Sequence, residues 1–310
     1  MEATRPSKPA LCAAYAAIYL IWGSSYLAIR YSVNSIPPFV AGGFRFLLAG
    51  VLLFAICAVR RVKKSTAAGW RNALFSSLMT FLLANSLLLY AEIHVASSIA
   101  ALISALEPLW FCLFGWLFFH GARPGPRQYA AIAAGMAGTY FVIAGSSEPG
   151  KVFDVWQLLW MLMLFGSSFA WVIGSYLSKD LQIHDDPLKA SGMVMLCASA
   201  SFFALQFLLS LATGQWPDCS SFAPSSVLSL VYLAICASLV GYTSFLWLMR
   251  VEPASRVSTY AFVNPLTAVF LGWLVAGEHI SKSMLIATPL VVLSVVLMIW
   301  RPRGGKDSSL

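Results

Sequence analysis

Trp22-Gly23-Ser24-Ser25-Tyr26 and Phe165-Gly166-Ser167-Ser168-Phe169 decide the fold, because each restates the other inside a long apolar run. The echo continues outward in the same order. Pro38, Ala41 and Gly43 find Pro187, Ala190 and Gly192; Pro108-Leu109 with Gly115-Trp116-Leu117 find Pro265-Leu266 with Gly272-Trp273-Leu274. The offsets are 143, 149 and 157 residues, growing as the loops of the second half lengthen. Gly, Ser and Leu are common in membrane helices, so one short match carries little. Three matches in one order, each on the corresponding helix of its half, make an internal repeat.

The runs that hold these motifs are long enough to span a bilayer, which takes about 20 apolar residues. They predict helices over 11–29, 38–59, 70–90, 96–119, 129–144, 156–175, 188–212, 227–249, 256–276 and 284–300. The fold class is therefore all-α: a polytopic membrane protein of ten transmembrane helices. Five helices per half is an odd number, so the second half enters the membrane upside down. The halves are expected over residues 1–148 and 149–310. Composition agrees, with 59% hydrophobic residues, 10% charged and a mean hydropathy of +0.78 across 310 residues. A water-soluble domain carries about 25% charged residues. Little sequence remains for a soluble catalytic or binding domain, so function is expected among the helices.

The formal charge of +8 suggests nucleic acid until its distribution is read. With the amino terminus placed in the cytoplasm, sixteen of the 20 lysines and arginines fall in cytoplasmic segments, including Arg60, Arg61, Lys63 and Lys64. Arg30, Lys151 and Lys282 fall outside, and Arg45 lies within a helix. That bias orients membrane proteins, and it puts both termini in the cytoplasm. No nucleic-acid partner is implied; the partners expected are a small-molecule solute and the lipid bilayer, with the chain a monomer or weak oligomer. The first apolar run is too long for a signal-peptide core and reads as a retained helix. Five of the six cysteines lie in predicted helices, only Cys219 lies in a loop, and none forms a CxxC pair. Neither a disulfide framework nor a metal is expected, and no cofactor is implied.

With these residues in view, the sequence resembles the EamA family of the drug/metabolite transporter superfamily, and within it the metabolite exporters of bacterial inner membranes. Ile21-Trp22-Gly23-Ser24-Ser25-Tyr26, Gly43-Phe44-Arg45-Phe46, Glu107-Pro108-Leu109 and Val263-Asn264-Pro265-Leu266 with Gly277-Glu278 carry the likeness across nearly the whole chain. Members often carry Gly-Glu after both the fourth and ninth helices; here the first half has Gly121-Ala122. The resemblance implies ten helices, a central cavity and export of amino acids or related metabolites across the bacterial cytoplasmic membrane.

Ionisable groups deep in lipid are costly and mark candidate sites. Glu107 falls about 15 Å into its helix and Arg45 about 11 Å into its own, at 1.5 Å per residue. Glu107 is the proton-coupling candidate and Arg45 its structural charge partner, although Arg45 also has the length to snorkel to the outer interface. Asn85 and Asn264 lie near mid-depth, where an amide seeks either a neighbouring helix or a solute. Trp22, Tyr26, Trp110, Trp171, Tyr242 and Tyr260 sit well inside helices that the resemblance places round the cavity. They are substrate-binding candidates, with core packing the alternative. Pro108 and Pro265 follow Glu107 and Asn264, positions equivalent under the 157-residue offset. Each proline deprives a carbonyl four residues back of its donor, so both are hinge candidates or simple kinks.

These residues predict a secondary transporter of small metabolites, most simply amino acids or other zwitterionic or amphipathic solutes, working by alternating access. A facilitator, an exchanger or an importer would use the same architecture. An intramembrane enzyme would need a nucleophile with a base or a carboxylate pair. All four histidines lie at helix ends or in loops and only one carboxylate is placed deep, so no enzyme is expected.

Overall fold

The computed structural model describes residues 7–95, 97–119, 123, 125–146, 155–218, 222–252, 257–258, 260–277 and 282–299. Cys219, Glu278 and the 148/149 boundary between the expected halves lie outside the described residues. Every regular element described is helical: α1 Lys8–Ser32, α2 Pro38–Val59, α3 Ala67–His94, α4 Ser97–Ser104, α5 Glu107–Phe118 and α6 Pro126–Ser146. They are followed by α7 Val155–Asp180, α8 Pro187–Thr213, α9 Pro224–Val251, α10 Tyr260–Ala276 and α11 Lys282–Ile299.

Local chemistry sets many of the ends. The Ser7 hydroxyl accepts from Ala10 N, Thr66 Oγ1 from Gly69 N at 3.0 Å, and Asp186 Oδ1 from Lys189 N at 3.1 Å. Each satisfies a donor that the first helical turn would otherwise leave unpaired. Pro38, Pro187 and Pro224 open α2, α8 and α9, where a missing N–H costs nothing. Gly214 closes α8 at φ 70°, a left-handed conformation that a side chain would resist.

Seven helical stretches among the described residues are long and apolar enough to cross a membrane: α1, α2, α3, the α4–α5 stretch Ile99–Phe118, α7, α8 and α9. The expectation of ten rests on three more. α6 has 21 residues, and α10 and α11, of 17 and 18 residues, hold the shorter apolar stretches Thr267–Ala276 and Leu285–Ser294.

The helices pack in a definite set of partners: α2 on α8, α6 on α11, α1 on α10 and α9, and α7 on α3 and the α4–α5 pair. The largest buried cluster includes Phe46, Phe81, Phe202, Tyr242 and Phe245, in contact across α2, α3, α8 and α9. α7 comes close to α3 at Gly174. A Cβ on Gly174 would stand 2.6 Å from the Thr80 backbone nitrogen and would strike the Thr80 hydroxyl.

Candidate functional site

The site begins at a break in the chain. Residues 105 and 106 leave the helix, with Leu106 N bonded to Ile103 O at 3.1 Å and Leu109 N to Leu106 O at 2.9 Å. Glu107 and Pro108 therefore open α5 as its first two residues. This corrects the mid-helix reading of Pro108: the proline sits where no N–H donor is required, and the chain has already turned. Pro265 differs again, since it lies within the single helix α10, Tyr260 to Ala276, and does not open a new one. The two prolines are not matching broken turns.

Glu107 is 7% exposed and meets the opposite half of the chain. Tyr260 Oη on α10 donates to Glu107 Oε2 at 2.5 Å, and Trp171 Nε1 on α7 donates to Tyr260 Oη at 3.2 Å. Trp22 on α1 completes this wall. Its ring lies edge-on to Trp171 at 5.4 Å and to Tyr260 at 5.0 Å. The space in front of these groups is a cavity with ≈ 90 Å³ of room for water centres. That exceeds the 10–15 Å³ a single water needs.

Two widened helical turns form the facing wall. α3 is π-helical over Leu78–Leu83 and α9 over Leu233–Tyr242. Such segments spoil the regular i to i+4 bonding and gather at functional sites. Here two of their carbonyls are taken by cavity side chains: Asn85 Nδ2 donates to Thr80 O at 3.4 Å, and Trp22 Nε1 to Ala237 O at 3.2 Å. Thr80 and Ala237 are themselves 157 residues apart, the offset that relates Glu107 to Asn264. Arg45 bridges α3 and α9, donating from Nε to Ser238 Oγ in the α9 segment at 2.8 Å and from Nη1 to Asn85 Oδ1, just past the α3 segment, at 3.5 Å.

Arg45 is thus bonded to Ser238 and Asn85, and Glu107 to Tyr260. The expected Arg45–Glu107 pair is corrected: both face one cavity, but each has its own partners. Trp22, Tyr26, Asn85, Trp171, Tyr242, Tyr260 and Asn264 also line it. Asn264 is 3% exposed, and its Oδ1 has no hydrogen-bond partner among the described residues. Trp110 lies elsewhere, against Phe165 at 6.4 Å and Phe169 at 4.6 Å.

Sequence reasoning missed three things. The serines Ser25, Ser104, Ser167 and Ser238 line the cavity, but serine is too common in membrane helices to signal it. The π-helical segments carry no proline and read as ordinary apolar runs. Glu92 is a second buried carboxyl, 1% exposed, because α3 continues to His94 rather than ending near residue 90.

The sequence profile of the EamA-like transporter family matches residues 8–144 and again 158–300. The chain belongs to the EamA-like transporter family. Among relatives of this EamA protein, the uncharacterized inner membrane transporter YedA of Escherichia coli K12 is 31% identical over 283 residues, covering 91% of this chain and 88% of that one. The probable amino-acid metabolite efflux pump of Escherichia coli K12 is 22% identical, covering 93% and 94%. A solved crystal structure superposes with a TM-score of 0.68 at 20% identity, covering 94% of this chain and 96% of the other, a likeness of fold alone. Family and relatives make the chain an integral membrane transporter of small solutes, of the bacterial inner membrane type.

Proposed function

We propose that this EamA protein exports small zwitterionic or amphipathic solutes, amino acids or their relatives, by alternating access around the cavity between its halves. One observation carries the reading. The cavity holds an acidic group, Glu107, and a basic one, Arg45, on separate sets of partners, within a wall of tryptophan and tyrosine. A solute with both charges and an apolar body would meet a counterpart for each part. A phosphate ester would call for several cations, and Arg45 is the only cationic side chain lining the cavity among the described residues.

Ten spans in two inverted halves, 1–148 and 149–310, are part of this proposal. The helix partners support it. Exchanging α1 with α7, α3 with α9 and the α4–α5 pair with α10 turns the α1–α10 contact into α7 on α4–α5. The same exchange turns the α1–α9 contact into α7 on α3. The α2–α8 and α6–α11 contacts map onto themselves, and all of these contacts are present. Inverted repeats place the solute site at their interface near mid-membrane. Glu107 is the proposed proton-coupling group because its carboxyl is the one that meets the solute space.

Counterflow in proteoliposomes tests the substrate class. Preloaded amino acids should drive uptake of labelled amino acids, and sugar phosphates or nucleotides should drive none. Robust phosphate-ester counterflow with no amino-acid transport would overturn the proposal.

A further inference from the structure

The polar groups of the cavity sort by what they offer a solute. At the α5–α10 end stand acceptors, the Glu107 carboxyl and the Oδ1 of buried Asn264, which has no partner among the described residues. On α2 stands a donor, the Arg45 guanidinium, held from α9 by Ser238 at 2.8 Å and from α3 by Asn85 at a long 3.5 Å. A guanidinium presents five N–H donors in a planar fork. These two contacts occupy one at Nε and one, weakly, at Nη1. The fork matches a carboxylate through two parallel bonds, and its carbon lies 5.0 Å from the Phe46 ring centroid, which braces it.

We propose that Arg45 is the carboxylate-binding subsite of the cavity, seating the solute's carboxylate between the π-helical segments of α3 and α9. The inference rests on the zwitterionic reading above and adds to it a direction. The carboxylate lies toward α2, and the ammonium lies toward Glu107 and Asn264. The long Asn85 contact is the one the carboxylate displaces, since Nη1 gives up least there. Binding then loosens the link that Arg45 makes between α3 in the first half and α9 in the second. Lysine would not serve, because a point charge lacks the fork.

The test uses the full-length protein in nanodiscs, reading tryptophan fluorescence and thermal shift, with Trp22 and Trp171 lining the cavity as reporters. Three probes share one apolar body: L-phenylalanine, 2-phenylethylamine, which lacks the carboxylate, and 3-phenylpropionate, which lacks the amine. Wild type should bind phenylalanine roughly tenfold or more tighter than 2-phenylethylamine, the scale of a charge-assisted pair. Arg45→Gln should bring that ratio to about one or below, since it removes the carboxylate's partner and a cation that repels the amine. Arg45→Lys, which keeps the charge if the glutamine variant fails to fold, should recover only a minor part of the ratio. Either variant keeping the full wild-type ratio overturns the subsite. Wild type binding none of the three probes overturns both the subsite and the amino-acid reading. Loss of the ratio in Arg45→Gln, with no phenylalanine transport by wild-type proteoliposomes, upholds the subsite and overturns the export reading alone.

Discussion

Asn264 is a cavity residue whose burial carries a cost to folding. Its Oδ1 is buried without a donor among the described residues, and leaving such a group unsatisfied costs about 1–3 kcal/mol. Asn264→Ala removes the group together with its penalty. The melting temperature of the purified protein is expected to hold or rise, while solute affinity falls roughly five- to thirtyfold at every pH, from a loss of about 1–2 kcal/mol. A fall in melting temperature with unchanged affinity would make Asn264 a packing residue. Part of this was legible in the sequence: Asn85, Glu107 and Asn264 stand out because polar groups are rare and costly at such depth. Trp110 was misplaced because it lies three residues beyond Glu107, only about 60° round the helix at 100° per residue. Nothing in the sequence says that the local face turns toward Phe169 instead.

At the scale of the element, the π-helical turns of α3 and α9 have no local signature in the sequence. Neither Leu78–Leu83 nor Leu233–Tyr242 contains a proline, and hydrophobic periodicity does not reveal a change of hydrogen-bond register. The α3 segment meets α7 at Gly174, where Thr80 lies against the space a Cβ would need. Gly174→Ala is expected to cost about 1–3 kcal/mol through overpacking, read as a lower melting temperature with a matching loss of transport. Unchanged stability would mean that α3 and α7 yield freely there. The break before Glu107 was foreshadowed by Pro108 but misread. A proline marks a disturbance of the helix, and whether it kinks the helix or opens a new one depends on the turn before it.

For the whole molecule, the repeat and the long apolar runs were open to reading because lipid imposes length and hydropathy directly on the chain. Which helices touch was not, since side-chain packing decides it. The proposed orientation, with both termini in the cytoplasm, rests on sixteen cationic residues on one side against three on the other. With Cys219 as the only cysteine left, an impermeant thiol reagent should label intact cells. A cysteine placed instead at Ser65 should stay unlabelled, and the reverse pattern would invert the protein. The central claim is that solute crosses through the cavity with Glu107 carrying the coupled proton. The decisive comparison is wild type against Glu107→Gln in proteoliposomes, with amino-acid flux measured from about pH 5.5 to about pH 8 and with an imposed proton gradient. Glutamine keeps an oxygen to accept from Tyr260 and loses the ability to titrate. The prediction is a pH-dependent, gradient-driven flux in wild type and a flat flux, insensitive to the gradient, in a Glu107→Gln protein that still folds. Flux in Glu107→Gln that follows pH and the gradient as wild type does would contradict the claim.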